Sequence, residues 1–339
     1  MSHWPLDFGS LGWLIQKISM SRFSRLLQSG GPFLGLLLVC GLFALTEERE
    51  FIFTGGNLKN ILTQTVIVAV GALGMTLIIV GGGIDLSVGS VVAFTGVLGA
   101  RLLVAGWPLW ATVALVLSVA SGIGLINGTI IAGFRMMPFI VTLGMMGVVR
   151  GGAKWLGDNA TINVPPTSGV GILMARVDPG QFWPLPVGVW ILLSLAVVMG
   201  LLLRRTVFGR QVFAVGANEL AARYSGVRVA IVKTATYGVA GLLFGLAGLL
   251  QMSRLTQGDP TVAVGLELDI IAAVVIGGAS LSGGAGSISG SMIGALIMAL
   301  LRNGTNQLGW QTYTQEVIIG VVIVLAVGLD KWRQSRGRH

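Results

Sequence analysis

The sequence predicts an all-α membrane protein, a polytopic helical bundle of about ten transmembrane helices with broken or re-entrant glycine-rich segments. Three observations predict it. Of the 339 residues, 54% are hydrophobic and only 10% are charged, against about 25% charged in a soluble domain. The apolar residues gather into runs long enough to cross a bilayer, which takes about 20 residues as a helix. Glycine, with 52 residues, interrupts those runs at two places where a helix is expected to break.

Residues 1–30 form a basic preamble. Leu11, Trp13, Leu14 and Ile15 run on to Leu26 and Leu27 at roughly helical spacing, with Lys17, Arg22 and Arg25 among them. That pattern predicts a cytoplasmic amphipathic helix lying on anionic lipid. No small-x-small cleavage site follows near residues 42–46, so the segment is expected to be retained. Apolar runs then predict spans at residues 31–46, 61–80, 86–105, 109–133, 137–153, 186–203, 231–252, 267–281, 284–301 and 313–329. The eighth and ninth are short and nearly continuous, so they can also form a re-entrant pair. Residues 31–330 read as a single membrane domain, and residues 331–339 as a basic cytoplasmic tail.

Threading the spans alternately puts fourteen of the 22 lysines and arginines on the side that holds both termini. By the positive-inside rule both ends are cytoplasmic. The longest loop on the other side, about residues 157–184, contains Asp158, Asn159, Pro165, Pro166, Pro179 and Trp183. It is rich in turn formers and suited to cap a pore or receive a partner.

Composition also excludes functions. The single cysteine, Cys40, sits in an apolar run, and the two histidines, His3 and His339, lie at opposite ends of the chain. Disulfide frameworks and Cys/His metal sites are therefore ruled out. The net charge of +9 is spread over loops between spans, as membrane insertion requires, and does not point to nucleic acid. No phosphate-binding Gly-x-x-x-x-Gly-Lys-Ser/Thr loop, no His-Glu-x-x-His and no Gly-x-Ser-x-Gly occurs, so nucleotide chemistry belongs to another chain and no catalytic residues are assigned.

The first glycine break is Gly-Gly-Gly-Ile-Asp-Leu-Ser-Val-Gly-Ser at residues 81–90. The second is Gly-Gly-Ala-Ser-Leu-Ser-Gly-Gly-Ala-Gly at residues 277–286. Broken helices are tolerated in lipid only where the freed backbone is buried or faces water. Asp85, Ser87, Gly89, Gly277, Gly278 and Ser282 are therefore candidates for a path or gate. Asp85 has two readings: the N-cap of the following helix, or a group that touches solute or moves with a gate. Gly238, Gly241, Gly245 and Gly248 on one span are expected to let helices pack closely.

One polar interruption stands apart, residues 204–226 on the basic side. Asn218 is placed to cap a helix of about two turns, Glu219 complements its dipole, Ala221 and Ala222 propagate it, and Gly226 supplies the left-handed position after its end. Leu220 and Tyr224, four apart, face one way. Flanked by Arg210, Arg223 and Arg228, they form an apolar anchor for a groove on a soluble partner.

These segments resemble a known family. Residues 81–90, the Pro-Phe-Ile-Val-Thr-Leu-Gly of residues 138–144 with Arg150-Gly151 after it, Thr206-x-x-Gly209-Arg210 leading to residues 214–222, and the Glu-Leu-Asp-Ile-Ile-Ala-Ala run from residue 267 are similar to the ribose-type permeases of bacterial ABC sugar importers. The likeness covers about residues 30–330. It implies a bacterial inner-membrane subunit that pairs with a second permease copy or a sister permease, receives a monosaccharide from a periplasmic binding protein, and couples to two cytoplasmic ATPases that hold the ATP and Mg. This chain itself then needs no cofactor. By the same resemblance residues 206–228 are the coupling element, with Gly209, Arg210, Gly216, Asn218, Glu219, Leu220, Ala221, Arg223, Tyr224 and Gly226 as its candidate residues. Glu267 and Asp269 fall at the outer mouth, where they either dock the binding protein or cap a helix. A permease for a branched amino acid or a furanose-like signalling molecule remains open. So do an ion-coupled carrier, which would need Asp85 as its acidic relay, and a scaffold that holds a soluble partner.

Overall fold

A computed structural model describes residues 31–46, 49–174 and 185–336. The expected interfacial helix before residue 31 and the last part of the long loop lie outside the described residues. Helices dominate: α1 (Gly31–Ala44), α2 (Arg49–Ile52), α3 (Gly55–Val80), α4 (Val88–Val104), α5 (Leu109–Phe134), α6 (Pro138–Leu156) and α7 (Val187–Arg205). They continue as α8 (Val207–Ala217), α9 (Glu219–Tyr224), α10 (Val229–Leu255), α11 (Leu266–Ile276), α12 (Ile288–Gln307) and α13 (Thr312–Arg336). The first six residues of the expected basic tail therefore continue the last helix. Among the described residues the only sheet is two residues wide, β1 (Ile162–Asn163) paired antiparallel with β2 (Gln257–Gly258).

Each of the ten apolar runs coincides with a helix, and four of them, α3, α5, α7 and α10, are both long and apolar enough to cross a membrane. The run at 267–281 is corrected. Its helix, α11, stops at Ile276 after 11 residues, about 16 Å at 1.5 Å per residue, roughly half of an apolar core of about 30 Å. The cause is the backbone of the glycine run. Gly278 takes φ +88°, its N–H donates to the Val275 carbonyl, and the Ala279 N–H donates to Val274. That is a Schellman motif, which closes a helix end. The end of α3 is built the same way, with Gly82 at φ +81° donating to Ile79 and Gly83 donating to Ile78.

Helix α3 is the axis of the bundle. From Val66 to Val80 it is apolar except at Thr76, and 89% of its most apolar window is buried, against 22% for α5, which marks a core helix rather than a lipid-facing one. It packs on α10, α12, α11 and α7. Because lipid is as apolar as leucine, contact here depends on close approach and interhelical hydrogen bonds. Both are present. Thr76 Oγ1 donates to Ser291 Oγ at 2.7 Å, and Asn57 Nδ2 donates to Asn303 Oδ1 at 2.7 Å while Asn303 Nδ2 returns a bond at 3.1 Å. These pairs lock α3 antiparallel to α12 at both ends.

Small residues set the other contacts. Gly238, Gly241 and Gly245 of α10 press on Leu125, Ala120 and Gly124 of α5, and Gly248 presses on Val92 and Thr95 of α4. A Cβ at Gly241 would collide with the Ala120 carbonyl, whereas Gly122 on α5 has nothing within 4 Å. Gly241→Leu is accordingly expected to lower the unfolding midpoint in detergent, at an overpacking cost of about 1–3 kcal/mol or more. Gly122→Leu should leave it within error; equal effects would show that the α5–α10 contact is looser than described.

Candidate functional site

The polar interruption folds as two helices, not one. Thr206 is the N-cap of α8, its Oγ1 accepting from the Gly209 N–H at 3.1 Å. A Cβ at Gly209 would meet the Leu202 and Leu203 carbonyls at the end of α7, so glycine lets α8 fold back on the helix before it. Phe208, Val212 and Val215 lie on one face of α8 and pack with Val80, Ala222, Val229 and Val232. Sequence reasoning missed α8, although the apolar spacing of four and three on those residues, behind a threonine cap, was its signal.

Helix α9 carries the expected ends. Asn218 Oδ1 accepts from the Ala221 N–H at 2.9 Å. At the other end the Gly226 N–H donates to Arg223 and the Val227 N–H to Ala222, with Gly226 at φ +84°. Glu219 does more than complement the helix dipole: it pairs with Lys233 of α10 at 2.6 Å and with Arg223 at 3.3 Å. With α9 only six residues long, these caps and the Lys233 tether replace the stability it lacks alone. What they hold out is apolar. Leu220 is 64% and Tyr224 88% exposed, on the same face.

The two glycine breaks meet underneath. Val80 is the last residue of α3, and its carbonyl accepts from the Gly284 N–H at 2.9 Å. Gly216, near the end of α8, lies directly against that bond. A Cβ on Gly216 would collide with the Val80 oxygen and come within 2.8 Å of the Gly284 nitrogen. Gly82 and Gly283 close on Gly216 from the other two directions, and Gly284 faces Ala217. Residues 81–83, 216–217 and 283–284 thus form one junction of bare backbone at the end of the bundle that carries α9. Gly277 packs separately, against Gly290 of α12, and Ser282 hydrogen-bonds Ser280 within the same loop.

The rest of the first break turns inward. Asp85 is buried beside Asn127 and Tyr237 rather than at the junction. Asn127 is seven residues from the end of α5, about 10 Å into the bundle. Asp85 is not the N-cap of α4. It closes an Asx turn, its Oδ1 accepting from the Ser87 N–H at 2.7 Å and from Ser87 Oγ at 2.5 Å, while Ser87 occupies the cap position. The local turn outcompetes the cap because its partner is two residues away. Asn127 Nδ2 donates to Ser87 Oγ at 3.2 Å, and Thr142 Oγ1 accepts from the Leu86 N–H at 3.2 Å.

Here the start of α4 meets the start of α11. A Cβ at Gly89 would come within 2.5 Å of both the Ala263 carbonyl and Glu267 Oε2. The chain reaches this point from the opposite end of the bundle: β2 lies on Ala100 and Gly96 of α4, and Arg150 fixes the descending segment by donating to Pro260 and Val262 carbonyls at 2.9 and 2.7 Å. Glu267 is half-buried against α4, and its Oε1 accepts from the Gly265 N–H at 3.3 Å at the start of α11. Asp269 is 3% exposed and pairs with Arg302 at 2.7 Å through Oδ2. Among the described residues no group of three or more His, Cys, Asp or Glu could hold a metal.

A family model described as branched-chain amino acid transport system / permease component matches residues 57–327. The chain is 42% identical to the ribose import permease protein RbsC of Escherichia coli K12 over 298 residues, covering 88% of this chain and 92% of the relative. It is 40% identical to the ribose import permease protein RbsC of Bacillus subtilis 168, covering 93% and 96%. It is also 36% identical to the L-arabinose ABC transporter permease protein AraH of Azospirillum brasilense, covering 93% and 91%. No solved structure matches.

The junction generates a local prediction. Gly216→Ala should push α8 off the Val80–Gly284 hydrogen bond and raise amide exchange in residues 206–228 and 277–287. Gly200→Ala on α7, where nothing lies within 4 Å, should not. Unchanged exchange in both would mean that the contact is not held in the membrane.

Proposed function

The chain belongs to the permease components of branched-chain amino acid transport systems and, among them, to the ribose-type permeases, and on that premise we propose that it is the membrane subunit of an ATP-binding-cassette importer for a monosaccharide. The solute is delivered by a periplasmic binding protein, and the work is done by separate cytoplasmic ATPases that hold the ATP and Mg. All ten apolar helices lie in the bacterial inner membrane, α11 as a half-crossing segment, with both termini and the α8–α9 segment in the cytoplasm. That orientation is supported by the excess of basic residues on this side. A second permease copy or a sister permease completes the pathway.

The observation that carries the reading is α9. A six-residue helix is capped at both ends, tied to α10 through Glu219 and Lys233, and yet presents Leu220 and Tyr224 to solvent. An exposed apolar pair on a basic surface is an anchor for a groove, in the helix-in-groove mode. Force applied there bears on Gly216 and so on the ends of both broken segments. Gly209, Arg210, Gly216, Asn218, Ala221, Arg223 and Gly226 shape and seat this coupling element. Asp85, Ser87, Gly89, Gly277, Gly278 and Ser282 belong to the broken segments that it would move. A docking role for Glu267, half-buried against Gly89, would require α4 and α11 to part.

The test is ATP hydrolysis in proteoliposomes that contain this chain, its ATPase and a sugar-loaded binding protein. Leu220→Asp with Tyr224→Asp should reduce stimulated hydrolysis at least about tenfold, since losing 1.4 kcal/mol of anchor contact already gives that factor, while membrane insertion is unchanged. Full stimulation in this variant would remove α9 from the coupling site. Solute uptake by the wild type along an ion gradient, without any ATPase, would overturn the importer reading.

A further inference from the structure

At the end of the bundle opposite α9, a cavity of about 280 Å³ opens between α3, α10, α11 and α12. Its polar lining is Gln64, Gln251, Arg254, Asp269, Arg302 and Asn306. A second cavity, about 530 Å³, adjoins it and shares Gln64 and Arg254. Together they fall in the range of about 300–1,000 Å³ that small-molecule sites occupy. Ile67, Val68, Leu266 and Ala299 close the floor of the first.

This polar lining is not used up by the fold. Asp269 Oδ1 and Arg302 Nε are shielded from solvent and have no hydrogen-bond partner, although the same two side chains share an ion pair. Native interiors seldom leave such groups unmet, because each costs about 1–3 kcal/mol. Gln64 and Gln251 are half-buried and Arg254 is exposed, and their polar ends are bonded to no other described residue. The set offers amide donors, amide acceptors and the guanidinium of Arg254. The Asp269 charge is balanced by Arg302, so no second anion is left to hold an ammonium group.

We propose that these six residues form a weak binding vestibule for a neutral polyhydroxylated solute. The proposal rests on the importer reading for the direction of entry. A hydroxyl group both donates and accepts, so a sugar can meet amides and guanidinium at once without bringing a charge. Binding is weak because Arg254 and Asn306 are exposed to water, and an importer gains nothing from a deep well on its path. The vestibule lies on the face of α3 about two and a half to three and a half turns from its start, and it reaches the beginning of α11. Passage beyond it requires the apolar floor to part.

The experiment is cysteine accessibility in the complete complex with Cys40→Ala, using Gln64→Cys and Gln251→Cys in proteoliposomes with a small thiol reagent. Both cysteines should be labelled, and D-ribose or L-arabinose should slow labelling about twofold at a concentration near the dissociation constant, with leucine ineffective. Absence of labelling, or labelling indifferent to pentose, would overturn the site. Protection by leucine and not by pentose would overturn the polyol assignment. ATP-driven pentose uptake by the wild type is measured in the same vesicles. Uptake without protection overturns the vestibule and leaves the importer reading; protection without uptake does the reverse.

Discussion

One hydrogen bond organises this molecule, the Gly284 N–H to the carbonyl of Val80. It joins the end of the central helix α3 to the loop between α11 and α12, so two chain breaks 200 residues apart share a single closure. Gly216 of α8 lies flat against it. Any side chain at that position would force backbone atoms apart. The contact is thus made by the absence of a side chain, and it converts three flexible segments into one seated joint. In an apolar solvent such a joint is also the cheapest way to satisfy freed backbone groups.

Both broken segments lead from the joint, or toward it, through helices shorter than α3, 17 residues in α4 and 11 in α11. Helix α4 starts inside the bundle after the Asp85 turn, and α11 starts inside it after Arg150 has clamped residues 260–262. Their first turns meet at Gly89 and Glu267. Two helix starts facing one another create a polar patch in the bundle without a continuous polar helix. Ser87, Asn127 and Thr142 satisfy most of that patch through short local bonds, which fixes the turn without adding charge.

How much of this was legible follows from the range of the interactions. The helices, the glycine breaks and the caps of α9 are local matters, and Asn218, Gly226 and the glycine rows on α10 could be read from neighbours in sequence. Helix α8 was legible too, yet its apolar face was masked by the expectation of a single short helix. The shorter reach of α11 depends on the left-handed geometry at Gly278, and a glycine run alone does not tell which glycine turns. Asp85 was placed one role away from its own because turn and cap both use a carboxylate before a helix. Threading treats every apolar run as a full crossing, so it gave no depth for Glu267 and Asp269. A chain that descends without a helix, as residues 259–265 do, leaves no hydropathy signal of depth.

The same helices that form the joint also build the polar cavity. Helix α3 carries Gln64 near one end and Val80 at the other; α11 carries Asp269 in its first turn and runs 16 Å to the glycine loop that ends on Val80. Helix α12 returns beside it, tied to α3 at Ser291 and Asn303, with Arg302 paired to Asp269 between them. The joint and the cavity are thus built on the same three helices, α3, α11 and α12. The bare-backbone joint carries no charged side chain, so a shift there would break no ion pair.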